Sequence, residues 1–252
     1  MPPLQYQMYA AMDRGSREEQ QDAVNSSFPE LQRDLGVLCV LSDGMGGLKG
    51  GAKTSQTVVQ TMVSVFHRSS ITDTPEQILL RACSFSQQAV RELQKEIGDT
   101  GATLAAVLLR NGRCSFLSVG DSRIYLFRGG ALIQLTRDQN RVTRLEKQIG
   151  MGRLPEEALT DAKREALTAY IGMEKLEQVD RSSRSFALIP GNRLLLVSDG
   201  VYHTLREEEM GEVMCLPGET ASVTMITRAV EKHLPGQDNC SAIVIDCLAA
   251  EC

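Results

Sequence analysis

Short apolar runs separated by turn residues predict a series of β-strands along the chain. Asn111-Gly112 lies between two of these runs and Gly129-Gly130 between two more, and both dipeptides favour tight hairpins. We therefore expect antiparallel strands in the middle of the chain. The predicted strands are residues 36–42, 103–110, 113–120, 122–128, 131–136, 193–199 and 240–248.

Helical periodicity marks three further segments, at residues 52–66, 75–97 and about 220–234. Hairpins with helices before and after them indicate an α+β protein of stacked sheets with helices outside. No stretch has the composition of a linker, because the prolines are scattered and the glycines lie at apparent turns. Residues 1–252 are therefore predicted to form a single domain.

Residues 137–165 form a polar, helix-prone segment that interrupts the strand series. One interpretation is a solvated helical insertion. The other is a flap beside a functional site, since connecting segments often carry function. The pattern alone leaves both interpretations open.

Composition and charge argue against several classes of function. The formal net charge is -5, from 27 basic and 32 acidic residues, so a basic groove for nucleic acid is not expected. No apolar run approaches the roughly 20 residues that cross a bilayer, and the N-terminus lacks the layout of a signal peptide. The seven cysteines include no CxxC pair, which suits a reducing compartment. We expect a cytoplasmic protein without a membrane or nucleic-acid partner.

Acidic residues stand at the ends of several predicted strands, next to glycines or polar turns. The sequence Ser-Asp-Gly at 42–44 recurs at 198–200. Taken singly, an Asp-Gly step after a strand is typical of a turn. Its repetition after two distant strands predicts that these strand ends meet when two sheets pack together. The acidic residues with this placement are Asp22, Asp43, Asp121, Asp199 and Asp238.

Converging carboxylates need protons or cations to relieve their repulsion, which is roughly 4 kcal/mol for two charges about 4 Å apart at an effective dielectric near 20. All the candidate ligands are oxygen donors, and a glycine beside an Asp leaves its carbonyl free to serve as another. The histidines His67, His203 and His233 have no zinc-type spacing. Mg²⁺ or Mn²⁺ therefore fits better than Zn²⁺.

Two such ions can activate water for hydrolysis of a phosphate ester, a reaction that is very slow without catalysis. A cationic side chain should then hold the phosphate oxygens. Arg17, five residues before Asp22, is the nearest candidate, and the alternative is a solvated surface arginine. His203, four residues after Asp199, either contacts this site or is structural.

The ordered motifs of the chain resemble the metal-dependent protein phosphatase family of the 2C type, in its compact bacterial form. The resemblance covers essentially the whole sequence and implies a β-sandwich with helices packed on both sides and a small helical flap at residues 137–165. The motifs, in order, are "RGSREEQQDAV", "VLSDGMGG", "GATLAAVLL", "LSVGDSRIYLFRGGALIQLTRDQ", "ALTAYIG", "LLLVSDGV" and "DNCSAIVI".

The resemblance also implies a binuclear site for Mn²⁺ or Mg²⁺. Asp43 would bridge two ions, Asp199 and Asp238 would bind the first, and the Gly44 carbonyl would bind the second. Asp22 would support the second ion through water. These assignments come from matching the motifs and not from spacing alone.

Two more assignments follow from the same likeness. Asp121, with Asp199, matches the additional third-ion site of bacterial members, and Arg17 matches the phosphate-binding arginine. The implied reaction is hydrolysis of phosphoserine and phosphothreonine by direct attack of a hydroxide held between the ions, without a phosphoenzyme. The implied substrates are phosphorylated proteins, including a serine/threonine kinase. The alternatives are a catalytically silent relative that acts as a binding or regulatory module, and a hydrolase of small phosphate esters.

Three positions depart from the family pattern. Gln21 stands where many members have glutamate, Met45 where animal members have a histidine thought to act as the general acid, and Gln139 where a histidine is usual. The sequence therefore shows no proton donor for the leaving alkoxide.

Overall fold

Two antiparallel sheets pack face to face in the computed structural model, which describes residues 4–27, 35–45, 50–151, 153–160 and 165–250. The first sheet consists of five neighbouring strands: β1 (Leu4–Asp13), β11 (Cys240–Ala249), β10 (Arg193–Val197), β6 (Arg123–Arg128) and β7 (Ala131–Gln134). The second is built on five neighbouring strands, with a sixth, β9 (Phe186–Ala187), paired to one of them. These five are β2 (Asp22–Ser26), β3 (Val37–Asp43), β4 (Leu104–Arg110), β5 (Arg113–Val119) and β8 (Asp180–Arg181).

Helices cover the outer face of each sheet. Two long helices, α1 (Gly51–His67) and α2 (Pro75–Ile97), pack on the second sheet. Three helices lie on the first sheet: α4 (Asp199–Tyr202), α5 (Glu207–Val213) and α6 (Gly218–Glu231). The remaining helix, α3 (Arg141–Gly150), and a short 3-10 helix at Glu156–Thr160 belong to the segment at 137–165.

The central strands are buried on both faces, which explains their nearly continuous apolar runs. Along β3, Val37, Cys39 and Leu41 point into the space between the sheets, whereas Leu38 and Val40 point toward α1 and α2. The same alternation runs through the central strands of both sheets. The result is a four-layer arrangement in which each sheet shares one core with the other sheet and one with its helices.

The sequence predicted the central strands and the three long helices closely, but not every element. Helix α2 begins and ends at the predicted residues because Thr74 and Gln77 form a capping box and Pro75 occupies the first turn. The strand β1 was not predicted, because its alternation of apolar and glutamine residues is weak and no turn pair flanks it. It pairs with β11 over its whole length as an edge of the first sheet. Within the described residues, no helix is long and apolar enough to cross a bilayer.

Candidate active site

The predicted acidic residues lie together at one end of the sandwich, where strand ends of both sheets meet. Asp43 ends β3 and lies opposite Asp22 at the start of β2. Asp199 follows β10 and begins α4, and Asp238 precedes β11. Asp121 lies in the turn between β5 and β6. Residues separated by up to 216 positions, from Asp22 to Asp238, therefore share one site.

A cleft of about 380 Å³ opens at this end of the molecule. The end of the 137–165 region also reaches it, since Glu165 and the two residues that follow, Ala166 and Leu167, form part of its wall. Asp22 and Gly44 lie behind the wall and not on it. The other lining residues are Arg17, Asp43, Met45, Thr103, Asp121, Asp199 and Asp238.

Asp22 is buried and held by two hydroxyl groups from the opposite sheet. The Oγ atoms of Ser198 and Ser241 donate hydrogen bonds to its Oδ2, at 2.8 and 2.5 Å. Its Oδ1 is buried without a hydrogen-bond partner. Burial raises the pKa of Asp22 to about 7, the serine hydrogen bonds oppose this rise, and the charges of Asp199 and Asp238 add to it.

Asp43 and Asp199 are also carboxylates whose environment disfavours a negative charge. Burial raises the pKa of Asp43 well above its ordinary value, and the neighbouring aspartates raise it further. Burial and the charge of Asp238 raise the pKa of Asp199, and its Oδ1 is buried without a partner. Thr103 fixes the backbone here, because its Oγ1 accepts a hydrogen bond from the Asp43 amide at 2.9 Å.

Asp121 is a further buried carboxylate that lines the cleft. Burial raises its pKa to about 8, and the charges of Asp199 and Asp138 contribute to the increase. A hydrogen bond from the Asn140 side chain lowers the pKa, against the larger effect of burial. The charges of Asp121 and Asp199 therefore interact within the cleft.

Arg17 and Asp238 form an ion pair at the mouth of the cleft. Arg17 Nη2 donates to Asp238 Oδ2 at 2.7 Å, and the two side chains are 47% and 37% exposed. The other carboxylate oxygen of Asp238 accepts a hydrogen bond from the Asn239 amide. Arg17 therefore lines the cleft with a side chain that is still nearly half exposed.

The donor set suits hard divalent cations. Its oxygens come from carboxylates, and two of these oxygens, on Asp22 and Asp199, have no hydrogen-bond partner. Burial and mutual repulsion destabilise the negative charges of these carboxylates, and a bound cation would compensate them. Gly44 has no room for a side chain, because a Cβ atom there would lie 2.3 Å from the Gly51 carbonyl oxygen. Across the described ranges, no three His, Cys, Asp or Glu side chains are already gathered around a common point.

The three departures from the family pattern have defined surroundings. Met45 lines the cleft, and its amide donates to the Gly101 carbonyl. Gln139 is buried beneath the cleft, and its Oε1 accepts a hydrogen bond from the Gly120 amide at 2.9 Å. The Gln21 side chain packs against Gly51 and donates to Glu19.

His203 contacts the site only weakly. Its Nδ1 lies 3.9 Å from Asp199 Oδ2, and its Nε2 lies 4.0 Å from an oxygen of Glu165. Sequence reasoning did not identify Ser198, Ser241 or Thr103 as part of the site. The serine before Asp-Gly, repeated at positions 42 and 198, was the signal for one of them.

The segment at 137–165 meets the cleft at Glu165, where both the flap and the solvated insertion remain possible interpretations. Helix α3 begins at its start, and its far end returns to the cleft wall at Glu165. Residues 152 and 161–164 lie outside the described residues.

Comparison with known proteins identifies relatives across the chain. The family model described as protein phosphatase 2C matches residues 14–234. The serine/threonine protein phosphatase PstP of Mycobacterium tuberculosis is 30% identical over 214 residues, which are 83% of this chain and 40% of PstP. This chain therefore spans less than half of that relative. The serine/threonine phosphatase stp of Listeria monocytogenes is 27% identical, with 85% and 86% of the two chains covered.

Solved structures show the same fold. The Streptococcus agalactiae (S. agalactiae) serine/threonine phosphatase superimposes with a TM-score of 0.82 at 24% identity, covering 96% of this chain and 99% of the other. The catalytic domain of PstP in complex with two manganese ions superimposes with a TM-score of 0.76 at 26% identity, covering 97% and 99%.

Proposed function

The chain belongs to the protein phosphatase 2C family, and we propose that it is a metal-dependent protein serine/threonine phosphatase. The observation that carries the proposal is the convergence of Asp43, Asp121, Asp199 and Asp238 on one cleft that also contains Arg17. Carboxylates suit divalent cations, and a guanidinium beside them suits a phosphate group. Residues 1–252 would act as one catalytic domain with a flap at 137–165.

The carboxylates would hold two Mn²⁺ or Mg²⁺ ions. Asp43 would bridge them, Asp199 and Asp238 would bind the first, the Gly44 carbonyl would bind the second, and Asp22 would act on the second through water. The partnerless oxygens of Asp22 and Asp199 support this assignment, as does the presence of two manganese ions in the PstP structure. When bound, the ions supply an activated water and compensate the charge of the phosphate.

A third ion would bind between Asp121 and Asp199. Both carboxylates line the cleft. The charges of both raise the pKa of Asp43, and the charge of Asp199 raises the pKa of Asp121. Gly120, the residue before Asp121, is hydrogen-bonded to Gln139 at the start of the flap.

Arg17 would exchange one anionic partner for another during the reaction. In the structure its guanidinium pairs with Asp238, and a cation at Asp238 would compete for the same oxygen. The side chain is nearly half exposed, so it can turn toward a phosphate group in the cleft. Two parallel N–H donors then match two phosphate oxygens.

The side chains at the departing positions supply no proton to the leaving alkoxide. The Met45 thioether carries no acidic proton, and the Gln139 amide does not titrate. We propose that the alkoxide takes its proton from water at the open side of the cleft.

The substrates would be phosphoserine and phosphothreonine residues of proteins, including a serine/threonine kinase. The Mycobacterium and Listeria relatives are named serine/threonine phosphatases. A reducing, cytoplasmic location agrees with the free cysteines in the described chain. Identification of the kinase requires interaction experiments.

The proposal is tested with p-nitrophenyl phosphate and a phosphothreonine peptide in the presence of Mn²⁺. We expect hydrolysis by the wild-type chain, and loss of activity by at least about 1000-fold on addition of EDTA or in Asp199→Asn. The matched control is Asp99→Asn, an exposed aspartate away from the cleft, which should retain activity. Activity that survives both EDTA and Asp199→Asn would overturn the proposal.

Two further measurements separate the alternatives. Calorimetry that shows no Mn²⁺ binding would favour a catalytically silent binding module. Turnover of small phosphate esters well above that of phosphopeptides would favour a metabolite phosphatase.

A further inference from the structure

Gln139 and Asn140 connect the start of the flap to the cleft. Both side chains are buried, at 8% and 3% exposure, although the surrounding segment is polar. They lie immediately before α3, which begins at Arg141. Two buried amides at the entrance of an otherwise exposed segment require hydrogen-bond partners, and the structure supplies them on both sides.

Gln139 fixes the peptide that carries Asp121. The side-chain Oε1 of Gln139 accepts a hydrogen bond from the backbone N–H of Gly120 at 2.9 Å. The backbone N–H of Gln139 donates to the Gly120 carbonyl at 3.0 Å. Gly120 adopts a φ of 97°, and a Cβ atom there would lie 2.8 Å from a methyl carbon of Thr103. The position of Asp121 is therefore set by the turn at Gly120, which Gln139 fixes by two hydrogen bonds.

Asn140 serves two elements with one side chain. Its Oδ1 accepts a hydrogen bond from the Thr143 amide at 3.1 Å and so caps α3. Its side chain also interacts with the Asp121 carboxylate and lowers the pKa of that group. One side chain thus links the start of the flap helix to a residue of the cleft.

The two ends of the flap are joined at the same place. Asn140 pairs with Leu167 in an isolated antiparallel bridge. The Thr168 amide donates to the Gln139 carbonyl at 2.7 Å, and the Arg141 amide donates to the Ala166 carbonyl at 3.0 Å. Because Ala166 and Leu167 line the cleft, this neck holds the cleft wall, the flap helix and Asp121 together.

We propose that Gln139 and Asn140 are positioning residues that couple the folding of α3 to cation binding at Asp121 and Asp199. This inference rests on the proposed function, since it concerns the same cleft. Neither side chain touches the substrate. A cation that fixes the Asp121 carboxylate keeps Asn140 in place and stabilises the cap of α3. Because such coupling is reciprocal, an ordered α3 strengthens cation binding by the same free energy.

The test uses substitutions that separate the two roles of Asn140. Asn140→Ala removes both the cap and the contact with Asp121. Asn140→Ser keeps an oxygen that can cap α3 but loses the amide nitrogen. Gln139→Met keeps the size of the side chain but removes the acceptor for Gly120. Thr74→Ala is the matched control, because it removes the cap of α2, which is remote from the cleft wall.

Two readouts do not depend on turnover. Hydrogen exchange of the amides at 141–150 reports the order of α3, and Mn²⁺ titration followed by calorimetry and electron paramagnetic resonance reports the number and affinity of ions. We expect saturating Mn²⁺ to slow exchange across α3 in the wild type. Loss of residues that orient metal ligands typically weakens binding about 10- to 100-fold.

We expect Asn140→Ala to abolish the effect of Mn²⁺ on α3 and to weaken the weakest Mn²⁺ site about 10-fold or more. Gln139→Met should weaken that site similarly. Asn140→Ser should keep an ordered α3 in the absence of ions but lose the response to Mn²⁺. Thr74→Ala should alter exchange only in α2 and leave the titration unchanged.

The inference is overturned if all Asn140 and Gln139 variants bind Mn²⁺ like the wild type. It is also overturned if Asn140→Ser retains the full response of α3 to Mn²⁺. Wild-type hydrolysis of the phosphothreonine peptide tests the proposed function separately. An active wild type with uncoupled variants refutes the coupling alone, and coupled variants of an inactive wild type refute the phosphatase activity alone.

Discussion

Asp22 offers a measurable link between the acidic site and the stability of the fold. The substitution Asp22→Asn keeps the shape of the side chain and an acceptor for Ser198 and Ser241, but it removes a buried charge. We expect this variant to be more stable than the wild type in EDTA at pH 8. A gain of stability on removal of this charge is expected only if the ion-free protein holds the Asp22 carboxylate at a cost, mainly from burial.

The magnitude follows from the pKa of Asp22, which folding raises from an ordinary 3.8 to about 7, mainly through burial. The folded protein therefore binds this proton more tightly than the unfolded chain. The contribution of Asp22 to the free energy of unfolding is therefore fully present below pH 4, falls as the pH rises, and reaches its lowest value above pH 7. At about 1.4 kcal/mol for each pH unit, the penalty above pH 7 is about 4 kcal/mol.

Urea unfolding in EDTA between pH 5 and pH 8 measures this effect. The advantage of Asp22→Asn over the wild type should grow by about 3 kcal/mol across that range. Asp99→Asn, an exposed aspartate, should follow the wild-type curve. With Mn²⁺ present the wild type should gain more stability than Asp22→Asn. A difference between the two proteins that does not change with pH would refute the reasoning.

Three other predictions concern the cleft and its surroundings. Arg17→Ala should strengthen Mn²⁺ binding in calorimetry, because Asp238 loses a competing partner. The same variant should lower kcat/KM for a phosphothreonine peptide about 10- to 100-fold through loss of a charged hydrogen bond. Unchanged values of both would contradict the role of Arg17. Arg123→Met leaves the largely buried Asp138 carboxylate without its bidentate partner. The free energy of unfolding in urea should therefore fall by about 3 kcal/mol, and a variant as stable as the wild type would contradict this. Mn²⁺ at about 100 times its Kd should raise the free energy of unfolding by about 2.7 kcal/mol per independent site, and a melting temperature that ignores Mn²⁺ concentration would argue against specific binding.

The local elements could be predicted because their signals are contained in short stretches of sequence. The Asn-Gly pair at 111–112 and the Gly-Gly pair at 129–130 mark hairpins by their backbone preferences, and Thr74-Pro75 marks the start of a helix by its capping chemistry. The edge strand β1 escaped prediction because half of its residues face away from the core and carry no apolar pattern strong enough to detect. The pairing with β11 is what makes this segment a strand.

The candidate site was predicted in its residues but not in its contacts. Asp43 and Asp199 were found through the repeated Ser-Asp-Gly sequence, and the resemblance added Gly44 and the assignment of ions. The hydroxyls that hold Asp22 belong to Ser241 in β11 and to Ser198 directly after β10, and both of these strands are in the other sheet. No spacing along the chain encodes that contact, because it depends on how the two sheets pack.

The sequence by itself determined the sandwich of buried strands, the covering helices and the acidic residues at the strand ends. These features depend on apolar periodicity and turn chemistry, which act over a few neighbouring residues. Only the tertiary structure decided that Arg17 pairs with Asp238, that Gln139 holds the turn before Asp121, and that Asn140 joins this turn to the flap helix. Those contacts arise from strand register and from the packing of the two sheets, which bring together side chains that the chain keeps far apart.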